Sequence, residues 1–296
     1  MGEVDDSRGG GSGRRKVILQ LAGVLLITLF SVWVHSLLVR KWSNPNAILY
    51  EREQGYRQAV EADEERFGRD HPEVASRLNE LALLLHDTNQ HSEAEPLYRR
   101  ALEIDEEHYG PDHPQVATRL SNLAELLREM NELSEAEALC RQALKINEDS
   151  LGADHPRVGI LLSNLGALVQ DMGRFDEAEG LQRRALKIHE DYFGAEHPRV
   201  ATRLGSLGRL LAEMERFAEA EPLYRRGLKI DEDTLGREHP NVARDLGNLA
   251  GLLAATGRLS EAEQMYRRAL EILEGSLGVD HRRTRAVRKE LENLGD

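Results

Sequence analysis

Between residues 50 and 294 apolar positions recur at helical spacing, and the pattern itself recurs. From Pro114 they fall at Val116, Leu120, Leu123, Ala124 and Leu127, one face of an α-helix. A second set, Ala136, Leu139, Cys140, Ala143 and Leu144, predicts a second amphipathic helix ending near Gly152. A glycine there can take the left-handed conformation of a C-cap. Pro114 suits a first helical position, where its missing N–H costs nothing. The spacing of "SEAE", Ser134 to Glu137, is that of a capping box and predicts where the second helix starts. Ser92–Glu95, Asp176–Glu179 and Ser260–Glu263 repeat it; Ala218 breaks it.

The beat is 42 residues: Gly68, Gly110, Gly152, Gly194, Gly236 and Gly278 keep it, as do His71, His113, His155, His197, His239 and His281. A fixed period of this size implies stacked helix pairs, since one pair cannot bury its apolar face alone. Five full units fit, at 72–110, 114–152, 156–194, 198–236 and 240–278. Residues 50–68 align as a lone second helix: Tyr56, Ala59 and Val60 match Tyr98, Ala101 and Leu102. Residues 282–294 align as a lone first helix, with Arg282 in place of proline. The expected architecture is an all-α, right-handed superhelical solenoid over residues 50–294, closed by a half unit at each end.

Ahead of the array, residues 17–39 are 23 residues without a formal charge, flanked by Arg14, Arg15 and Lys16 and by Arg40 and Lys41. At about 1.5 Å per residue such a helix crosses a hydrocarbon core of about 30 Å. The reading is one N-terminal transmembrane helix behind a flexible tail at 1–16. A cleaved signal peptide and a twin-arginine export signal compete with it; the long apolar stretch and the weak "VHS" cleavage site favour the uncleaved span. The positive charges lean towards a cytoplasmic N-terminus by a single residue, and so towards an extracytoplasmic array.

Charge narrows the function. Residues 1–43 carry +3 of the chain's −13, which leaves −16 on residues 44–296. An array so acidic is a poor nucleic-acid binder. The pairs Arg99–Arg100, Arg183–Arg184, Arg225–Arg226 and Arg267–Arg268 each follow a glutamate four residues before the first arginine, the spacing of helix-surface ion pairs. Cys140, the one cysteine, falls where other units carry Tyr98, Tyr224 and Tyr266, and reads as core. The six periodic histidines form a ladder with steps too wide for one metal ion, which points to helix capping. No phosphate loop, cofactor motif or nucleophile with partners is present, so neither an enzyme nor a cofactor is expected.

The segment "LSNLAELLREMNELSEAEALCRQAL" has the spacing of the tetratricopeptide repeat. The usual repeat has about 34 residues; here eight more surround "GPDHPQVA". That long form, with "HPxVAxxLxNLAxLL" and "EAExLYRRALxI", resembles the repeats of kinesin light chain and related bacterial proteins. The light chain's N-terminal heptad coiled coil has no counterpart, so the motor-adaptor role does not carry over. The resemblance implies a concave groove lined by first helices that takes a peptide. It also implies that the asparagine column (Glu80, Asn122, Asn164, Ser206 and Asn248) and basic residues one turn earlier hold acidic cargo.

The residues support a binding face independently. Asn122 lies about 140° from the centre of its helix's apolar arc at 100° per residue, with Gln115, Thr118 and Glu129 on the same stripe and Arg119 at its edge. An asparagine row can donate to and accept from an extended backbone without reading its sequence. Beside it, Arg77, Arg119, Arg203 and Arg244 can pair with carboxylates. The expectation is a membrane-anchored, non-catalytic scaffold: Asn122, Asn164 and Asn248 hold a peptide or protein segment, and the four arginines select acidic side chains. The alternative is a structural subunit of a membrane complex that self-associates or acts through its edges.

Overall fold

The computed structural model describes residues 45–294, which form twelve helices and, among these residues, no strand. They divide after Arg66 into two units. The described part of the first lies in helix α1, Pro45–Phe67, which has an internal Arg57–Glu53 ion pair at 2.9 Å. The second holds five helix pairs and a final single helix. The pairs are α2 (Pro72–Asp87) with α3 (His91–Tyr109), α4 (Pro114–Glu129) with α5 (Leu133–Leu151), and α6 (Pro156–Asp171) with α7 (Phe175–Phe193). After them come α8 (Pro198–Glu213) with α9 (Phe217–Leu235), α10 (Pro240–Ala255) with α11 (Leu259–Leu277), and α12 (Arg282–Asn293). Each helix packs most extensively on its partner and next on the neighbouring pair, so the second unit is a solenoid. No helix among the described residues is long and apolar enough to cross a membrane. The span expected at 17–39 lies outside the described residues.

The core follows the repeat. Around the second pair, Val116, Ala117 and Leu120 meet Ala143 and Ile146, while Leu102 and Leu161 close the cluster from the pairs on either side. Neighbours thus supply the wall a single pair lacks. Cys140 lies in this interior, where burial pushes its thiol up to about 11.

The periodic histidines are caps. In His71, His113, His155, His197, His239 and His281, Nδ1 accepts the backbone N–H two residues on, at 3.1–3.2 Å. Five are followed by the proline expected at the first helical position. The expected capping boxes are not used. The second helices start one or two residues earlier than "SEAE" places them, on N-caps Gln90, Glu132, Arg174, Arg216 and Arg258 that make no side-chain capping bond. The cause is the preceding turn. A residue at positive φ (Asn89, Asn131, Gly173, Glu215 or Gly257) closes each first helix. The next N–H then reaches back to the carbonyls of Leu85, Leu127, Val169, Leu211 and Leu253 at 2.8–2.9 Å, a Schellman closure. One residue therefore both ends that turn and caps the next helix. Gly152 also departs from a left-handed cap: at φ 90°, ψ 152° it occupies extended mirror space open essentially to glycine.

The arginine pairs serve the stack. The first arginine takes the expected i,i+4 glutamate, as in Arg99–Glu95 at 2.8 Å, and Arg99 also reaches Glu135 of the next unit at 2.8 Å. The second tethers a loop carbonyl one step earlier: Arg226 donates to the Ala195 carbonyl at 2.8 Å and pairs with Glu190 at 2.6 Å.

Candidate peptide-binding face

Asn122, Asn164 and Asn248 occupy one position on α4, α6 and α10, each half-buried. Asn122 Nδ2 donates to Asn79 Oδ1 of the preceding pair at 2.8 Å. Asn248 lies over Gly205, where a Cβ would stand 4.0 Å from its Nδ2. The row therefore runs along the seam between successive first helices. Asn122 also lines a cavity of 290 Å³ together with His86, Tyr98, Glu125, Glu129 and Arg282.

The four arginines have different surroundings. Arg77 is half-buried and pairs with Glu80 at 3.0 Å. Arg119 is turned inward, 7% exposed: its Nε donates to Asp105 Oδ2 at 2.7 Å and its Nη2 to Ser76 Oγ at 3.3 Å. Arg244 pairs with Asp245 at 2.8 Å and Asp231 at 3.2 Å. Arg203 has no ion pair among the described residues, and its buried Nε has no hydrogen-bond partner. Burial, with Arg199 and Arg244 adding to it, pushes its guanidinium down to about 10.

The repeat register explains the contrast. Arg119 and Arg203 hold the same position two units apart, and each faces the second-helix residue fourteen places before it. For Arg119 that residue is Asp105; for Arg203 it is His189. His189 is buried, its Nε2 lies 3.1 Å from the Pro156 carbonyl oxygen, and burial with the nearby Arg203 holds its pKa below the usual imidazole value. A neutral imidazole cannot balance the guanidinium. The ring fits because Gly159 stands where other units carry Ala75, Ala117, Ala201 and Ala243: a Cβ there would come within 2.7 Å of it. The step before holds a neutral Asn147 and Leu161, and the step after holds two acids, Asp231 and Asp245. Both are buried, and burial pushes Asp231 up and Asp245 to about 6, with Arg244 moderating the shift. A cation without an anion thus sits one step from two acids beside one arginine. His189 and the two aspartates escape a reading confined to the first helices; setting each first-helix position against the residue fourteen earlier finds them.

The family profile described as tetratricopeptide repeat matches residues 53–107, 78–149, 121–188, 157–233 and 228–275. Comparison with curated proteins finds no match. Among solved structures, the fold is similar to that of BtubC (BKLC) from P. vanneervenii, with a TM-score of 0.65 and 24% identity over 78% of this chain and 92% of that one. It is also similar to a Podosopora anserina putative kinesin light chain with nearly identical TPR-like repeats, with a TM-score of 0.58 and 24% identity over 70% of this chain and 98% of that one. With the profile spanning five helix pairs and the 42-residue period, the chain belongs to the tetratricopeptide repeat family and has the fold of its kinesin light chain-like members.

Proposed function

We propose that the chain is a non-catalytic scaffold that captures a carboxylate-bearing protein segment along the first-helix face of its array. The observation that carries this reading is Arg203, whose buried Nε has no hydrogen-bond partner and whose guanidinium pairs with no carboxylate among the described residues. A partner's Asp or Glu offers the missing charge-assisted hydrogen bonds, in bidentate form where the approach allows. Arg199 and Arg244 make this spot locally basic on a strongly acidic array, so an acidic segment is drawn to it rather than to the surrounding surface. Asn164 and Asn248, on the seams to either side, hold the segment's backbone. Arg119 orders the stack through Asp105 and does not select cargo. The array winds right-handed with this face on its concave side. Residues 17–39 tether it to a membrane, with the array on the extracytoplasmic side.

Selection of random displayed peptides on the full-length chain tests the reading. Enriched peptides should share an acidic residue, and Arg203→Gln should abolish their retention, while Lys229→Gln on the solvent face leaves it intact. Enrichment without acidic residues, or undiminished retention by Arg203→Gln, would sink the assignment. Self-association without any peptide selection would support the assembly reading instead.

A further inference from the structure

The first step of the stack differs from every later one. Position by position, His86 corresponds to Arg128, Gln170, Ala212 and Ala254, and Glu129 to Asp87, Asp171, Glu213 and Ala255. These two positions form a rung between adjacent pairs: Arg128 meets Asp171 at 3.2 Å, and Gln170 donates to Glu213. His86 Nε2 to Glu129 Oε2, at 3.1 Å, is the same rung. His91 is not part of that pattern. Its counterparts are Leu133, Phe175, Phe217 and Leu259, all large and apolar. In their place an imidazole puts Nε2 3.4 Å from the same Glu129 oxygen, and that nitrogen is buried with no hydrogen-bond partner.

We propose that His86, His91 and Glu129 form a site for a zinc-class divalent ion. The three donor atoms lie within 4.8 Å of one another. Zinc bonds of about 2.0–2.1 Å make a tetrahedron with edges of about 3.3 Å. The 3.1 and 3.4 Å separations fit two such edges. Two imidazoles and a carboxylate suit zinc better than magnesium or calcium. The surroundings also suit a cation. His86 and Glu129 line the 290 Å³ cavity with Asp87, Glu125 and Tyr98, although Arg282 reaches it as well. Tyr98 is 0% exposed, yet its hydroxyl has no hydrogen-bond partner. A metal-bound water in the fourth position would supply one. The ion would join α2 and α3 of the first pair to α4 of the second, at the end of the binding face that carries Asn122. The sequence spacing hides the site, because its members come from three helices and only one of the four steps between helix pairs has them all.

The test uses the purified full-length chain stripped with a chelator, with Zn²⁺ titrated in competition with a chromophoric indicator. One ion per chain should bind tighter than micromolar. His91→Leu, which installs the residue found at Leu133 and Leu259, and His86→Gln, which installs that of Gln170, should each weaken binding more than about 100-fold, beyond the usual outer-shell effect. Both should retain the native helical signal without metal, and His239→Gln, at a distant cap, should bind zinc normally. Co²⁺ at the site should give the intense visible absorption of a four-coordinate ion. Absence of stoichiometric binding, or native affinity in both His86→Gln and His91→Leu, would overturn the site. So would loss of binding in His239→Gln.

Discussion

Arg203 gives a prediction opposite to the usual effect of deleting a repeat arginine: its removal should stabilise the array. A fall from 12.5 to about 10, at about 1.36 kcal/mol per pH unit, sets a ceiling of about 3 kcal/mol on the cost of holding the charge there. The side chain is partly exposed, and screening leaves about 1–2 kcal/mol. Leucine fits the position, since Leu161 occupies it one unit earlier and is 6% exposed. Arg203→Leu should therefore raise the melting temperature by about 2–6 °C for an array of this size. His189→Asp should act in the same direction by rebuilding the Asp105–Arg119 pair two units along. Thermal unfolding followed by far-UV circular dichroism reads the change, and native-state hydrogen exchange in α8 localises it, because repeat arrays need not unfold in one step. Both variants should lose capture of acidic segments, so stability rises as function falls. If both lower the melting temperature, the guanidinium is satisfied within the fold and the reasoning fails.

Further outcomes follow from the same register. Arg119→Leu leaves Asp105 buried without its counter-charge and should cost about 3–5 kcal/mol in urea unfolding; adding Asp105→Asn, which recreates the Asn147 and Leu161 step, should recover most of it. Glu215 sits at φ 59° in a turn where Gly173 and Gly257 serve elsewhere, so Glu215→Gly should raise stability by about 0.5–1 kcal/mol in the same assay. Gly152→Ala, at a conformation closed to other residues, should lower it by about 1–3 kcal/mol. Asp245 has its pKa raised in the folded state, so its contribution is full below its ordinary value of 3.8 and is lost as pH rises through about 6. Urea midpoints across that window should show the decline, and Asp245→Asn should reduce it, with the raised Asp231 retaining part.

The period, the helix pairs, the proline starts and the histidine caps were all legible in the sequence, because each rests on local spacing or on a side chain bonding its own backbone. The capping boxes misled for a local reason as well: Glu132 closes one helix and opens the next, leaving Ser134 inside a helix that has already begun. The candidate face was only half legible. A helical wheel drawn for α4 alone has one apolar arc, which puts Arg119 at its edge and Asn122 in solvent. In the stack α4 also packs beside its neighbours, so Arg119 is buried against Asp105 and Asn122 bonds Asn79. Which arginine lacks a partner depends on the residue fourteen places earlier, on another helix, and no single-helix pattern contains that comparison. His86, His91 and Glu129 escaped for the same reason.

The central claim is that the first-helix face, and not the outer surface, receives another chain. Site-specific photo-crosslinking in native cells tests it most directly, with a photoreactive residue at Thr118 beside the asparagine row and another at Arg183 on an exposed second-helix surface. The account predicts an adduct from position 118 to an acidic segment of a different protein, lost on adding Arg203→Gln, and none from position 183. Adducts from position 183 alone, or adducts at position 118 joining only two copies of this chain, would contradict it.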